Sequence, residues 1–154
     1  MVTAIENRIP PPIVMVVTGL AMWALSWVTP AVHIPAGIRY GLVGVLLVFG
    51  VSVDGFAFFS FRRAGTTINP VAIDNASSLV TTGIYTFTRN PMYVGLTTLL
   101  VSLAVLLPNA WLLLGPVFFV LYITRFQIIP EERVMQAKFG SAYDAYKARV
   151  RRWV

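Results

Sequence analysis

The sequence predicts an all-α integral membrane protein with four transmembrane helices, a cytoplasmic cap loop and a C-terminal interfacial helix. Three observations carry that expectation. Hydrophobic residues make up 57% of the 154-residue chain and charged residues only 12%, against about 25% charged in an ordinary soluble domain. The mean hydropathy of +0.75 agrees. The apolar residues gather in four runs close to membrane-spanning length. All of the 12 lysines and arginines except Arg39 then fall on one side of the implied topology.

The length favours a single membrane domain. Its first run, 12–28, is opened by Pro10-Pro11-Pro12, where missing N–H donors cost least, and closed by Thr29-Pro30. Without a strongly basic start or a small-residue cleavage site, this run is expected to stay in the mature protein. The second run, 36–61, is long enough to tilt or to project from the bilayer. The third, 92–107, ends at Pro108-Asn109. It is slightly short of the roughly 20 residues a spanning helix needs, so its helix is expected to begin near Arg89 or to cross a thin part of the bilayer. The fourth, 110–129, is expected to end at Pro130.

Four spans put the N-terminus, the 62–91 loop and the C-terminal tail on one side. That side carries Arg8, Arg62, Arg63, Arg89, Arg125, Arg133, Lys138, Lys147, Arg149, Arg151 and Arg152. By the positive-inside rule both termini face the cytoplasm, and the short loops and absent cysteines suggest a bacterial inner membrane. The net charge of +6 is then topogenic charge with attraction to anionic lipid. The chain has no room for a module that reads nucleic acid. The absence of cysteine excludes disulfides, thiol nucleophiles and thiolate metal sites. The one histidine, His33, falls in the short outer loop. A zinc site or Ser-His-Asp triad on the cytoplasmic side is therefore excluded, and no metal is expected.

Two segments break the apolar pattern. "FRRAGTTINPVAIDNASSLVTTGIYTFTRNP", 61–91, is rich in turn formers and too long for a mere connector. Its Ile68, Val71, Ile73, Leu79, Val80, Ile84, Tyr85 and Phe87 predict a cap folded back onto the membrane interface. In the second, 130–154, Pro130, Glu131 and Glu132 suit a helix start. Gly140 interrupts that helix and Ser141 caps another. Tyr143, Tyr146 and Val150 share one face, with Lys147, Arg149, Arg151 and Arg152 on the polar side. This predicts interfacial helices over 131–150 lying against anionic headgroups, with the last ten residues an anchored tail.

Taken singly, the polar residues keep two meanings. Asp54, in the cytoplasmic half of the second helix, is either a functional carboxylate or an ion-pair partner for Arg62 and Arg63, about two turns away. Glu131 and Glu132 are either helix-starting acids or a site for a cation or ammonium group. Arg89 and Tyr93 match an anchor and an aromatic-belt residue.

Together they form a pattern. "LVTTGIYTFTRNPMYVG" (79–95), one helical hairpin, then "EERVMQAKFGSAYDAYKARV" (131–150) closely resembles the isoprenylcysteine carboxyl methyltransferase and phospholipid methyltransferase families. These are membrane-embedded enzymes that use S-adenosylmethionine. Their pattern reads Gly-x-Tyr, Arg-His-Pro-x-Tyr-x-Gly, Glu-Glu after the last helix, and Phe-Gly-x-x-Tyr-x-x-Tyr. It covers roughly the C-terminal half of the chain, and "FRRAGTTINP" (61–70) also looks like bacterial members.

The resemblance implies a cofactor pocket built from Ser77, Ser78, Leu79, Val80 and Tyr85, then Asn90, Pro91, Met92 and Tyr93, then Glu131, with Arg89 and Glu132 beside them. A carboxylate such as Glu131 suits the cofactor's ammonium, and Tyr85 or Tyr93 suits its sulfonium. Turn backbone around Asn90-Pro91 suits the adenine edge. Two positions depart from the family pattern. Asn90 replaces the histidine, matching its hydrogen bonds but not its titration. Gln127 stands where the eukaryotic carboxyl methyltransferases carry an arginine implicated in substrate binding, and Arg125 is the nearby candidate to compensate.

The leading functional expectation is S-adenosylmethionine-dependent methyl transfer to a membrane-soluble substrate at the cytoplasmic face. The acceptor classes are an isoprenoid or prenylcysteine-like carboxylate, a phospholipid amine and a small thiol. A carboxylate or thiolate acceptor needs no general base, whereas an amine must shed a proton, to Asp54 or Glu132. The catalytic candidates are Asp54, Arg125 and Glu132. The alternatives are a small four-helix transporter with Asp54 as its coupling carboxylate, and a non-catalytic module of the same fold.

Overall fold

The computed structural model describes Glu6, residues 8–63 and residues 78–154. Ser77, Ile68, Val71 and Ile73 lie outside the described residues. Every regular element among the described residues is helical.

Helix α1 (Pro11–Ser26) begins with prolines in its first turn, and α2 (Ala36–Arg63) runs for 28 residues. A 3-10 turn (Gly83–Thr86) precedes α3 (Pro91–Leu106), which again starts on proline. Gly83 has φ +63°, a conformation that suits glycine, and a side chain there would press on Ser60 Oγ. A second 3-10 turn (Ala110–Leu113) leads into α4 (Leu114–Ile123), a π turn (Thr124–Ile128) and α5 (Ile129–Phe139). After Gly140, with φ +49°, α6 (Ser141–Arg149) closes the order.

Pro130 does not end the fourth helix as expected, because the helical run continues from Ala110 to Phe139. The chain widens into the π turn just before Pro130. That gives the ring room where an α turn would press it against a carbonyl of the preceding turn. Among the described residues two helices are therefore long and apolar enough to cross a membrane, Ala36–Arg63 and Ala110–Phe139. Helices α1 and α3 have 16 residues each. The outward face of α2 exposes Val45, Val48, Phe49, Phe56 and Phe59, a surface that suits lipid.

Helix α3 is the centre of the bundle, packed on α1, α2 and α4. Glycines set how closely α2 approaches it. A Cβ on Gly50 would lie 3.2 Å from the Gly95 carbonyl oxygen, and one on Gly95 would overlap the Asp54 side chain. On the other flank Gly19 of α1 meets Leu100 and Leu103, and Met22 fills the space at Gly115 of α4. Leu112, Phe119, Ile123 and Ile128 are wholly buried in the resulting core. At the end away from the termini, Val32 N–H donates to Pro108 O at 2.6 Å and Asn109 Nδ2 to Thr29 Oγ1 at 2.6 Å.

The face of α6 expected to lie on headgroups packs on the protein instead. Tyr143, Tyr146 and Val150 are buried against Leu79, Met135 and Phe139. The Tyr146 hydroxyl donates to Tyr85 O at 2.7 Å, so the aromatic face finds both apolar and polar partners within the chain. Nor is the tail merely an anchor, since it returns over the start of α3, where Arg89 N–H donates to Arg151 O at 2.9 Å.

Gly95→Ala is expected to force Asp54 aside or part α2 from α3, destabilising the protein by about 1–3 kcal/mol. At Gly44 a Cβ meets nothing within 4 Å. Gly44→Ala should therefore leave the thermal midpoint in detergent unchanged or raise it, and equal losses for both variants would contradict this packing.

Candidate functional site

A cavity of about 710 Å³ opens at the end of the bundle that carries both termini, within the roughly 300–1,000 Å³ typical of small-molecule sites. One wall is apolar, made by Pro10, Pro11 and Pro12 at the start of α1 and by Val51, Gly55 and Phe58 of α2. The opposite wall is polar, made by the segment leading into α3, the start of α5 and the tyrosines of α6.

Glu131 and Glu132 divide the polar wall between them. Tyr93, in the first turn of α3, donates its hydroxyl to Glu131 Oε1 at 2.7 Å. Glu132 is turned towards cations, with Arg89 at 3.1 Å and Arg152 at 2.7 Å. Arg89 also donates to the Tyr143 hydroxyl at 3.5 Å. Its Nε is buried without a hydrogen-bond partner among the described residues, and so is Asp54 Oδ1. One unmet donor and one unmet acceptor therefore belong to side chains that line the same cavity.

Of the residues implied as cofactor-binding, Leu79, Val80, Tyr85, Arg89, Asn90, Pro91, Met92, Tyr93, Glu131 and Glu132 all line this cavity. Ser78 is not among the lining residues, and Ser77 lies outside the described residues. Asn90 turns its amide Nδ2 to Arg152 O at 2.9 Å. Asp54 lines the cavity beside the apolar wall, and the described residues show no ion pair between it and Arg62 or Arg63.

Arg125 is not at the cavity. It pairs with Glu6 at 3.1 Å, and Arg133 takes the other oxygen of Glu6 at 3.3 Å. Gln127, 2% exposed, donates to Ile9 O at 2.7 Å. The two positions considered for an acceptor carboxylate thus hold the N-terminal segment against the π turn, which seats Pro10–Pro12 in the cavity wall. Sequence reasoning missed those prolines as lining residues, as well as Met135, Tyr143 and Tyr146. The aromatic spacing of the two tyrosines was the available signal.

An acid pair, an arginine and an apolar wall around one cavity define a small-molecule site on a membrane protein. Comparison with known proteins gives that site a family. The phospholipid methyltransferase model matches residues 38–142, from the start of α2 into α6, and the chain belongs to that family. A Haemophilus influenzae protein described only as uncharacterized is 41% identical over 63 residues, which is 41% of this chain and all of that protein. No solved structure matches the chain.

Burial pushes the phenols of Tyr85, Tyr143 and Tyr146 above their ordinary value of 10.0. A raised folded value contributes stability that is present below the unfolded value and lost as pH rises through the folded one. The thermal midpoint should therefore fall above about pH 10, where unfolded tyrosine ionises. Tyr146→Phe should cost about 1–3 kcal/mol at neutral pH, by leaving the Tyr85 carbonyl unpaired, and should make the alkaline fall shallower. An unchanged alkaline slope would contradict the assignment.

Proposed function

We propose that the protein is an S-adenosylmethionine-dependent methyltransferase acting on a lipid-borne amine at the cytoplasmic face of a bacterial inner membrane. The observation that carries this reading is one cavity that brings the family-pattern residues and the Asp54 side chain together.

The residues present fit the cofactor. Glu131, oriented by Tyr93, is placed to take an ammonium, and the unmet Nε of Arg89 is a donor for a carboxylate. The faces of Tyr85, Tyr143 and Tyr146 supply electron-rich surface for a sulfonium. When bound, S-adenosylmethionine supplies an electrophilic methyl group. The chain then has to hold the acceptor in line, exclude water and remove a proton. The apolar wall serves exclusion, and the Asp54 carboxylate is the acceptor for the proton that an ammonium sheds before its nitrogen can attack. A carboxylate substrate would need a cation free of other partners. Arg125 is committed to Glu6, and the open Nε of Arg89 is taken by the cofactor on this reading. The amine is therefore favoured over the carboxylate. The transporter alternative gains nothing, because Asp54 faces this cavity.

Chain direction supports four crossings. Helices α2 and α4–α5 run the same way, since both start beside the turn that joins Thr29 to Asn109 and both end near Tyr85 and Tyr93. If both span, α3 must cross back between them, and α1 must cross to reach α2. The basic end is then cytoplasmic.

Titration calorimetry with S-adenosylhomocysteine on detergent-purified protein tests the cofactor site. Wild type should bind, and Glu131→Ala should weaken binding roughly 10–100-fold, the range of a charged hydrogen bond. Asp54→Asn should keep that affinity yet lower methyl transfer to aminophospholipid vesicles by about 10²–10⁴-fold. Folded wild type that fails to bind would overturn the reading.

A further inference from the structure

We propose that the C-terminal tail, residues 151–153, is a positioning element of the cofactor site: its backbone fixes Arg89 and Asn90, and Arg152 orients Glu132 and offsets its charge. This rests on the methyltransferase reading and adds to it three residues that touch no part of the cavity.

After α6 the chain is extended at Val150, with φ −123° and ψ 130°, and passes between the start of α3 and α5. Arg151 O accepts from Arg89 N–H at 2.9 Å. Arg152 O accepts from Asn90 Nδ2 at 2.9 Å and from Thr88 Oγ1 at 3.3 Å. The Arg152 guanidinium forks onto Glu132, Nε to Oε1 at 3.0 Å and NH2 to Oε2 at 2.7 Å. Trp153 Nε1 donates to Thr124 Oγ1 at 3.2 Å, in the π turn, and its ring packs on the core. Helices α3 and α5 share little direct contact. The Tyr93–Glu131 hydrogen bond, the Arg89–Glu132 pair and this tail all span the gap between them.

The arrangement is more than a brace. A tail serving only as a membrane anchor would offer its arginines to headgroups, yet Arg152 commits its fork to a carboxylate. That choice bears on Arg89. Glu132 Oε2 is taken by Arg152 and Oε1 is shared, so Arg89 reaches the glutamate through NH1 alone and keeps its Nε uncommitted. Without Arg152, Glu132 would be free to turn the whole Arg89 guanidinium towards itself in a two-pronged pair. The unmet donor would be withdrawn. The charge of Glu132 would also stand less compensated beside Glu131. Both effects act on the cofactor site through Glu132, which makes Arg152 a positioning residue.

The test uses the full chain in detergent, with S-adenosylhomocysteine as probe in calorimetry and a thermal midpoint for every variant. Arg152→Gln should weaken binding about tenfold, the lower end for a charged hydrogen-bonded pair. Arg152→Lys keeps the charge and should recover part of that loss. Glu132→Gln should weaken binding too, and the double variant should fall well short of the sum of the two single effects, since both act through one contact. A tail that is only structural would lower the midpoint while leaving affinity of the folded fraction intact, with no recovery by lysine. That result, or additive effects, would overturn the proposal. Wild type that folds but binds nothing would instead remove the cofactor reading itself, and this is settled before any variant is compared.

Discussion

Glu131 and Glu132 are consecutive carboxylates at the boundary of a membrane helix, and keeping their charges apart is the constraint on which the site depends. Like charges close together at the low dielectric of such a boundary cost several kcal/mol unless each finds its own partner. An α-helix turns about 100° per residue, so the two point in different directions. One meets the Tyr93 hydroxyl and the other a pair of guanidiniums. The surrounding structure follows from this division. Tyr93 reaches Glu131 because α3 starts on Pro91, which is fully buried. Arg89 reaches Glu132 because it precedes that start by two residues. The close approach of α2 at Gly50 and Gly95 then brings Asp54 to the same cavity.

Much of this was legible in the sequence, for physical reasons that also explain the rest. Hydropathy located the long helices because lipid-facing residues must be apolar whatever they pack on. The run from Leu79 to Tyr93 and the Glu131–Glu132 pair could be joined because binding groups recur in fixed order along the chain. Arg125 was named for its nearness to Gln127 in the chain, which does not reveal that its guanidinium turns to Glu6. The face of Tyr143 and Tyr146 was read as part of an interfacial helix because an amphipathic face has the same spacing against lipid as against protein. The tail was invisible for a different reason. Its ties to Arg89 and Asn90 run through the carbonyls of Arg151 and Arg152, and backbone groups leave no mark on residue choice.

Family membership gives the class of chemistry, and the departures at Asn90 and Gln127 become intelligible in this chain. Asn90 needs only a donor for the Arg152 carbonyl, which a neutral amide supplies at any pH. Gln127 likewise donates to the Ile9 carbonyl from a buried position, where an unpaired guanidinium would be costly. Each amide serves a contact between the chain ends and the bundle, so neither departure by itself argues against catalysis.

Both chain ends are tied to the α4–α5 run. The N-terminal segment is held by Glu6 and Gln127, the C-terminal one by Arg152 and Trp153. Helices α1 and α2, by contrast, barely touch each other, although Pro10–Pro12 and Val51–Phe58 face across the cavity. Among the described residues that side is the unbraced one, and it is flanked by exposed apolar side chains such as Ile13, Val17 and Phe58. On the proposed reading the two reactants arrive from different solvents. A lipid-borne amine reaches Asp54 from the apolar flank with its acyl chains still in the bilayer. A water-soluble cofactor reaches Arg89 and Glu131 from the basic end. Separate approaches let one small bundle serve both, because neither reactant has to cross the medium that rejects it.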